Sequence, residues 1–324
     1  MKAAVFYEQG PPHVLKYEDV ADPVCGPDQV VIRVKAISIE GGDTLNRGAN
    51  PLAAPMPRVP HIIGYQAAGE IIAVGADVHH LSIGQPVVTL DAFGSHAELR
   101  AVAARNAWPV PSGMDINTAS TVPVPFGTAH ESLFYFGGLQ AGETVLVHGG
   151  AGAVGLAAIQ LAKRAGATVI ATASSDSKLE RLRDYGLDHG VNYARDDFVA
   201  EVARITDGGG VNLVIDPVGG TVLQASLRTL AYRARVALIG AAAREPLLVD
   251  VLPLIGTNSS VTGVFFGAEI ATDRAHDLVQ SLIQDVADGT LKAPIDRTYP
   301  LSEAAAAHAF IESRQAFGRV LLIP

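Results

Sequence analysis

Gly150, Gly152 and Gly155 stand in a G-x-G-x-x-G arrangement, with Ala153 and Val154 inside it and an apolar run just before it. Glycines at that spacing suit a strand that turns sharply into a helix. The first permits the tight turn, the second lets a pyrophosphate approach the backbone, and the third lets helix and strand pack closely. The helix N-terminus then offers free N–H groups and the positive end of its dipole to that pyrophosphate. The chemistry expected of this cluster is dinucleotide binding.

The choice between NAD and NADP rests on the residues that end the next strand, Thr172-Ala173-Ser174-Ser175. An NAD-selective site places Asp or Glu there, on the ribose 2′-hydroxyl. Here Ser174 and Ser175 fill the place, and Lys178 brings a cation suited to a 2′-phosphate. Asp176 is the rival; it lies past the strand end and is expected to cap a helix starting at Ser177. NADP(H) is the cofactor expected.

A second group of polar residues lies in Ser38-Ile39-Glu40-Gly41-Gly42-Asp43-Thr44-Leu45-Asn46-Arg47. A carboxyl beside a reacting centre could bind a polar substrate or donate a proton. Alternatively Glu40 and Asp43 fix this loop by accepting backbone N–H bonds, and Arg47 could pair with either. His61 has no partner at metal-ligand spacing and is expected to close the loop at Pro60, while His96 and His130, as lone histidines, are expected to pack or hydrogen-bond. Cys25 is the only cysteine, which excludes an intrachain disulfide and a zinc site built on several thiolates.

The elements that must position these groups change in style along the chain. The first third reads as short strands and turns, with apolar runs at 30–34, 71–74 and 86–90 and a proline-rich surface loop over 51–60. After Pro123 helices and strands alternate: a helix over 126–136, a strand over 144–148, a helix over 156–165 and a strand over 168–172. Helices over 177–185, 198–206 and 220–230 and strands over 211–216 and 235–240 follow. That alternation implies a parallel sheet covered by helices on both faces. The last stretch reads as a helix over 275–289, a strand over 297–300, an alanine-rich helix over 302–314 and a strand over 319–323.

The 324 residues suit two domains. With 48% hydrophobic and 18% charged residues, a packed globular chain is expected. A formal charge of −9 argues against general affinity for nucleic acid or anionic membranes. The N-terminus lacks the apolar core of a signal peptide, and no apolar run reaches the roughly 18 residues of a membrane span, so a cytoplasmic location is expected.

Val122-Pro123, Gly127-Thr128-Ala129, the run from His148 to Gly155 and Ala158-Ile159-Gln160-Leu161-Ala162-Lys163 together resemble the medium-chain dehydrogenase/reductase superfamily. Within it, the resemblance is to the zinc-independent quinone oxidoreductase (zeta-crystallin-like) branch and runs over essentially the whole chain. It implies an α/β chain: a Rossmann doubly wound parallel sheet domain over 122–265, and a discontinuous, β-rich GroES-like catalytic domain over 1–121 and 266–324. It implies an active site between the two and a homodimer formed by edge strands, here at 260–266. It also implies that Lys178, Tyr193 and Arg314 surround the 2′-phosphate. Thr128, Gly240, Ala241, Phe265 and Phe266 would flank the nicotinamide and its ribose.

Zinc-dependent members carry Gly-His-Glu where this chain has Gly64-Tyr65-Gln66, so no metal is expected. In the branch's Asn-x-x-Asp-x-Tyr pattern, Asp43 is kept, Glu40 replaces the Asn and Leu45 replaces the Tyr. The expected activity is metal-free hydride delivery from NADPH to a quinone or an activated enone, with Glu40, Asp43 and Thr128 as the catalytic candidates. A zinc-independent carbonyl or alcohol dehydrogenase working through Glu40 or His130, or a non-catalytic NADPH-binding protein, are the competing expectations.

Overall fold

A computed structural model describes residues 1–48 and 59–324. The loop expected over 51–60 falls, up to position 58, outside the described residues. The chain divides into two compact units, Met1–Gly127 with Gly267–Pro324, and Thr128–Phe266.

The first unit opens with β1 (Lys2–Phe6), β2 (Lys16–Asp19), β3 (Gln29–Ser38), α1 (Gly41–Arg47), β4 (His61–Ile62) and β5 (Gln66–Val74). It continues through β6 (Pro86–Leu90), β7 (Leu99–Ala103), β8 (Ala107–Pro109), α2 (Ile116–Ala119) and α3 (Pro123–His130), which crosses the boundary at Gly127. The second unit contains β9 (Thr144–Val147), α4 (Ala153–Arg164), β10 (Thr168–Ala173), α5 (Asp176–Arg183), β11 (His189–Asn192) and α6 (Phe198–Ile205). There follow β12 (Val211–Asp216), α7 (Gly220–Ser226), β13 (Leu230–Leu238), α8 (Leu252–Thr257), β14 (Ser260–Gly263) and α9 (Phe266–Glu269). The chain then returns to the first unit with α10 (Asp273–Ala287), β15 (Ile295–Pro300), α11 (Ala304–Glu312) and β16 (Arg319–Ile323).

In the first unit, among the described residues, the main sheet runs β15-β16-β3-β5-β6-β8, with β7 also on β3, and a smaller one runs β2-β1-β4. Strand β3 shows why: Ile32 and Val34 point inward while Arg33 and Lys35 point to water, the period of two that a half-buried strand needs. Ile32, Ile37, Ile63, Val87 and Leu322 lie in one apolar core, which gathers residues from both ends of the sequence. Burying them is what brings the C-terminal strand beside β3.

In the second unit a parallel sheet runs β11-β10-β9-β12-β13-β14 among the described residues. The chain builds outward from β9 to β11, then restarts at β12 on the other side. The turns that follow β9 and β12 therefore open onto the switch point where such sheets bind ligands. Leu146, Ile170 and Val214 are fully buried on these strands, as a sheet covered on both faces requires.

Several boundaries differ from the sequence expectation. The helix expected over 126–136 is α3 from Pro123, continued by a π-helical turn at Glu131–Tyr135. The helix expected over 220–230 stops at Ser226, because Leu230 already begins β13. The edge strand expected over 260–266 stops at Gly263, and Phe266 starts α9 instead. Among the described residues no helix is long and apolar enough to cross a membrane.

Candidate active site

The turn after β9 is organised by its glycines. Gly150 N–H donates to the Thr172 carbonyl of β10 at 2.8 Å, which pins the turn to the neighbouring strand. A Cβ on Gly155 would lie 2.5 Å from the Gly149 carbonyl oxygen, so only glycine lets α4 pack this closely on the turn. Gly152 is different: it is exposed, and a Cβ there would meet only the Gly149 oxygen, at 3.3 Å. It is also the N-cap of α4 and supplies no side-chain cap, so the first N–H groups of a helix of 12 residues have no side-chain acceptor at the N-cap. Ala153 and Val154, half-buried, form the first turn of that helix. An exposed turn backed by N–H donors and a helix dipole fits a pyrophosphate.

Behind the turn, His148 is buried, with Nδ1 at 3.2 Å from Thr172 Oγ1 and Nε2 at 2.8 Å from Ser226 Oγ. Burial pushes its pKa down to about 4, so it is a neutral strut between strands and helix. At the end of β12, Asp216 Oδ1 accepts N–H bonds from Val218 at 2.7 Å and Gly219 at 3.0 Å, which shapes the second turn at the switch point. Gly240 and Ala241 follow β13 at the same end of the sheet.

At the end of β10, Ser174 and Ser175 are half-buried. Ser175, not Asp176, caps α5: its Oγ accepts from Lys178 N–H at 3.3 Å. The expectation that Asp176 caps a helix from Ser177 is corrected, because Asp176 already has helical position and turns its carboxylate elsewhere. Asp176 Oδ1 accepts from Asn192 Nδ2 at 3.0 Å and Oδ2 from Arg195 Nη1 at 2.8 Å. Tyr193 is exposed, and its N–H donates to Ala173 O at 3.1 Å, so it stands directly beside the serines. Lys178 belongs to the first turn of α5.

Glu40 and Asp43 of the first unit are deeply buried. Glu40 Oε1 accepts from Gln66 Nε2 at 2.6 Å and Ser38 Oγ at 3.2 Å, and its other oxygen pairs with Arg319. Burial pushes Glu40 above the ordinary carboxylate range, and the Arg319 guanidinium opposes that shift. Asp43 Oδ2 accepts the Glu40 N–H at 2.8 Å and so fixes the start of α1. Its Oδ1 is buried without a hydrogen-bond partner among the described residues. Burial pushes Asp43 well above the usual carboxylate range, the backbone N–H bond from Glu40 opposes that shift and the Glu40 charge adds to it.

Arg47 does not pair with either carboxylate. It is fully buried, pairs with Glu312 and donates from Nη1 to the Gly10 carbonyl at 3.0 Å. Arg319 takes the place that was expected of it.

Gly64-Tyr65-Gln66 is held rigidly. Arg100, which burial lowers to about 10, donates from Nη2 to the carbonyls of Tyr65 at 2.7 Å and Phe93 at 2.8 Å. Tyr65 Oη accepts from Asn46 Nδ2 at 2.8 Å, and Gln66 Oε1 accepts the Val124 N–H at 2.9 Å. Gln66 therefore links Glu40 to the first turn of α3, the helix on which Thr128 stands, itself nearly buried. His61 packs edge-on against Phe6 and Phe93. His96 Nε2 lies 3.0 Å from His308 Nε2 in a buried pair, and His130 packs on Phe134. Among the described residues no three His, Cys, Asp or Glu side chains are grouped so as to hold a metal. Phe265 is exposed and Phe266 buried at the end of the second unit, while Arg314, at φ +59°, follows α11 in the first.

Sequence reasoning missed Arg319, Gln66, Arg195, Asn192 and His308. A signal existed for Arg319, a lone charge in the apolar strand Arg319-Val320-Leu321-Leu322-Ile323, which calls for a buried partner. No local pattern pointed to the Asp176–Arg195 pair, whose members lie on different elements of the fold.

A chain that contains a doubly wound parallel unit with an open glycine turn and a β-rich unit with buried polar residues has the make-up of a nicotinamide-dependent oxidoreductase. Residues 26–112 match the family model described as alcohol dehydrogenase GroES-like domain, and residues 153–283 match that described as zinc-binding dehydrogenase. The chain is 31% identical to a 2-haloacrylate reductase of a Burkholderia species, over 99% of this chain and 98% of that protein. It is 30% identical to a quinone oxidoreductase of Pseudomonas aeruginosa, over 100% and 99%. The fold matches that of Escherichia coli quinone oxidoreductase complexed with NADPH, with a TM-score of 0.95, 28% identity and full coverage of both chains. The chain belongs to the medium-chain dehydrogenase/reductase superfamily, in its zinc-independent quinone oxidoreductase branch.

Proposed function

We propose that this protein is an NADPH-dependent oxidoreductase that delivers hydride to a quinone or to an electron-poor alkene without a metal. The observation that carries the reading is the open glycine turn at Gly152, backed by the N–H groups at the start of α4. Gly150, Gly152, Ala153, Val154 and Gly155 would hold the pyrophosphate, and Ser174, Ser175, Lys178, Tyr193 and Arg314 the 2′-phosphate. Gly240, Ala241, Phe265, Phe266 and Thr128 are assigned to the nicotinamide end. When bound, NADPH supplies the hydride; the chain supplies proximity and orientation.

Glu40 and Asp43 are assigned to positioning rather than proton transfer. Glu40 has both oxygens engaged, and Asp43 braces the start of α1. The Glu40–Gln66–Val124 chain orients the α3 segment that leads to Thr128. The proton that completes the reduction comes from solvent. This engagement of Glu40 disfavours a carbonyl or alcohol dehydrogenase that would use it as an acid. We assign catalysis to 1–121 with 266–324 and cofactor binding to 122–265.

The protein is further proposed to be a cytoplasmic homodimer, with Cys25 as a free thiol. Strand β14 is an edge of its sheet, and Leu248, Val251, Leu252 and Ile255 of the same unit are exposed, an apolar surface suited to a second copy. Loss of NADPH absorbance on addition of 1,4-benzoquinone, a naphthoquinone or a small enone tests the activity. No acceptor-dependent loss with any of them refutes it.

A further inference from the structure

We propose that Arg195 is a cofactor-selectivity residue that acts by neutralising Asp176 at the mouth of the 2′-phosphate pocket; the inference rests on the NADPH reading above. Asp176 is the carboxylate that follows most closely the place where an NAD-selective site keeps its acid: it opens α5, just past the end of β10 at Ala173. Left unpaired, it would accept a ribose 2′-hydroxyl from NADH and repel the 2′-phosphate of NADPH.

The structure shows it occupied on both oxygens. Asn192 Nδ2 donates to Oδ1 and Arg195 Nη1 to Oδ2. Asn192 is buried and itself fixed, because its Oδ1 accepts the Ala194 N–H at 3.2 Å. The N–H groups of Arg195 and Asp196 both reach the Asn192 carbonyl, at 3.0 and 2.8 Å, which clamps the turn that carries Tyr193 and Arg195 together. Arg195 is held from behind by Asp196, through Nε–Oδ1 and Nη2–Oδ2 contacts of 2.9 Å each.

This arrangement contributes little to stability, since Arg195 and Asp176 are 62% and 65% exposed and an ion pair in water is weak. Its effect is local. The charges of Asp176 and Asp196 are offset by those of Arg195 and Lys178, so these four residues present no net negative charge to an arriving dianion. Removing Arg195 leaves an excess of negative charge and releases the carboxylate that favours NADH.

The test is titration of NADPH and of NADH by nucleotide fluorescence on four variants: Arg195→Ala, Arg195→Lys, Arg195→Ala/Asp176→Asn and Lys178→Ala. Arg195→Ala is expected to raise the NADPH dissociation constant about tenfold while moving that of NADH by less than about twofold. Arg195→Lys, which keeps the charge, retains most of the preference. Adding Asp176→Asn to Arg195→Ala brings NADPH back to within about threefold of wild type, because the repelling charge is gone. A merely structural role would move both nucleotides alike and would not be rescued by Asp176→Asn; either result overturns the inference. If Lys178→Ala still weakens NADPH selectively in that case, the NADPH reading stands and only Arg195 falls. If neither variant changes selectivity, both fall.

Discussion

Replacing Arg319 by Ala tests the buried polar layer of the first unit. Arg319 and Glu40 are almost wholly shielded from water, with side chains 8% and 4% exposed, and Arg319 also donates to the Ile39 carbonyl at 3.1 Å. Removing one partner of a buried pair leaves the other charge uncompensated, at about 3–5 kcal/mol. At roughly 2–4 °C per kcal/mol for a domain of this size, the melting temperature should fall by about 10 °C. The sign of the pH dependence follows from Glu40. Burial already raises its pKa and Arg319 opposes this, so in the variant the folded-state pKa rises further above the unfolded value. The folded state then holds a proton that the unfolded state releases as pH rises. The variant's stability is therefore fullest below the ordinary carboxylate pKa and is lost as pH rises through the folded value. Urea unfolding at about pH 5 and about pH 8 should show a larger deficit at the higher pH. Adding Glu40→Gln should recover about 2 kcal/mol or more of the loss at the higher pH. A deficit equal at both pH values and unrelieved by Glu40→Gln would refute the reasoning.

Gly64→Ala should prevent accumulation of folded protein, since φ is +108° and its Cβ would sit 1.9 Å from Ser95 Oγ and 2.2 Å from His96 Nδ1; soluble yield and circular dichroism check this. Gly155→Ala should abolish detectable NADPH binding by titration, with a drop in melting temperature, because the new Cβ meets the Gly149 oxygen at 2.5 Å. His96, held neutral at about pKa 3 by burial, and His148, at about 4, bind fewer protons folded than unfolded. Their contribution is thus lost as pH falls below about 6.5, by up to about 1.4 kcal/mol per pH unit for each, and His148→Gln should make acid unfolding measurably shallower.

The second unit was legible because its signals are local. The glycine turn, its strand and its helix lie within one stretch of chain, and the observed β12 has the bounds that its apolar run suggests, as does β16 in the first unit. Helix ends were less legible where the cap was ambiguous: Ser175 and Asp176 are both good N-caps, and only the pull of Asn192 and Arg195 on Asp176 settles which one serves. The stretch Glu40 to Arg47 showed that its polar residues mattered but not how they pair. Arg47 reaches Glu312 and Glu40 reaches Arg319, both brought near by the return of the C-terminal segment to the first sheet. Pairings of that range depend on topology, which side-chain types do not encode locally. The same holds for the His96–His308 contact.

The measurement that bears most directly on the account is the fate of deuterium in NADPH labelled on one face or the other of nicotinamide C4, oxidised with a quinone or enone acceptor. The account predicts acceptor-dependent oxidation in which label is lost from one face and retained on the other, because the glycine turn and the 2′-phosphate pocket hold the cofactor in one orientation. Loss of label from both faces alike, or no acceptor-dependent oxidation, would contradict it.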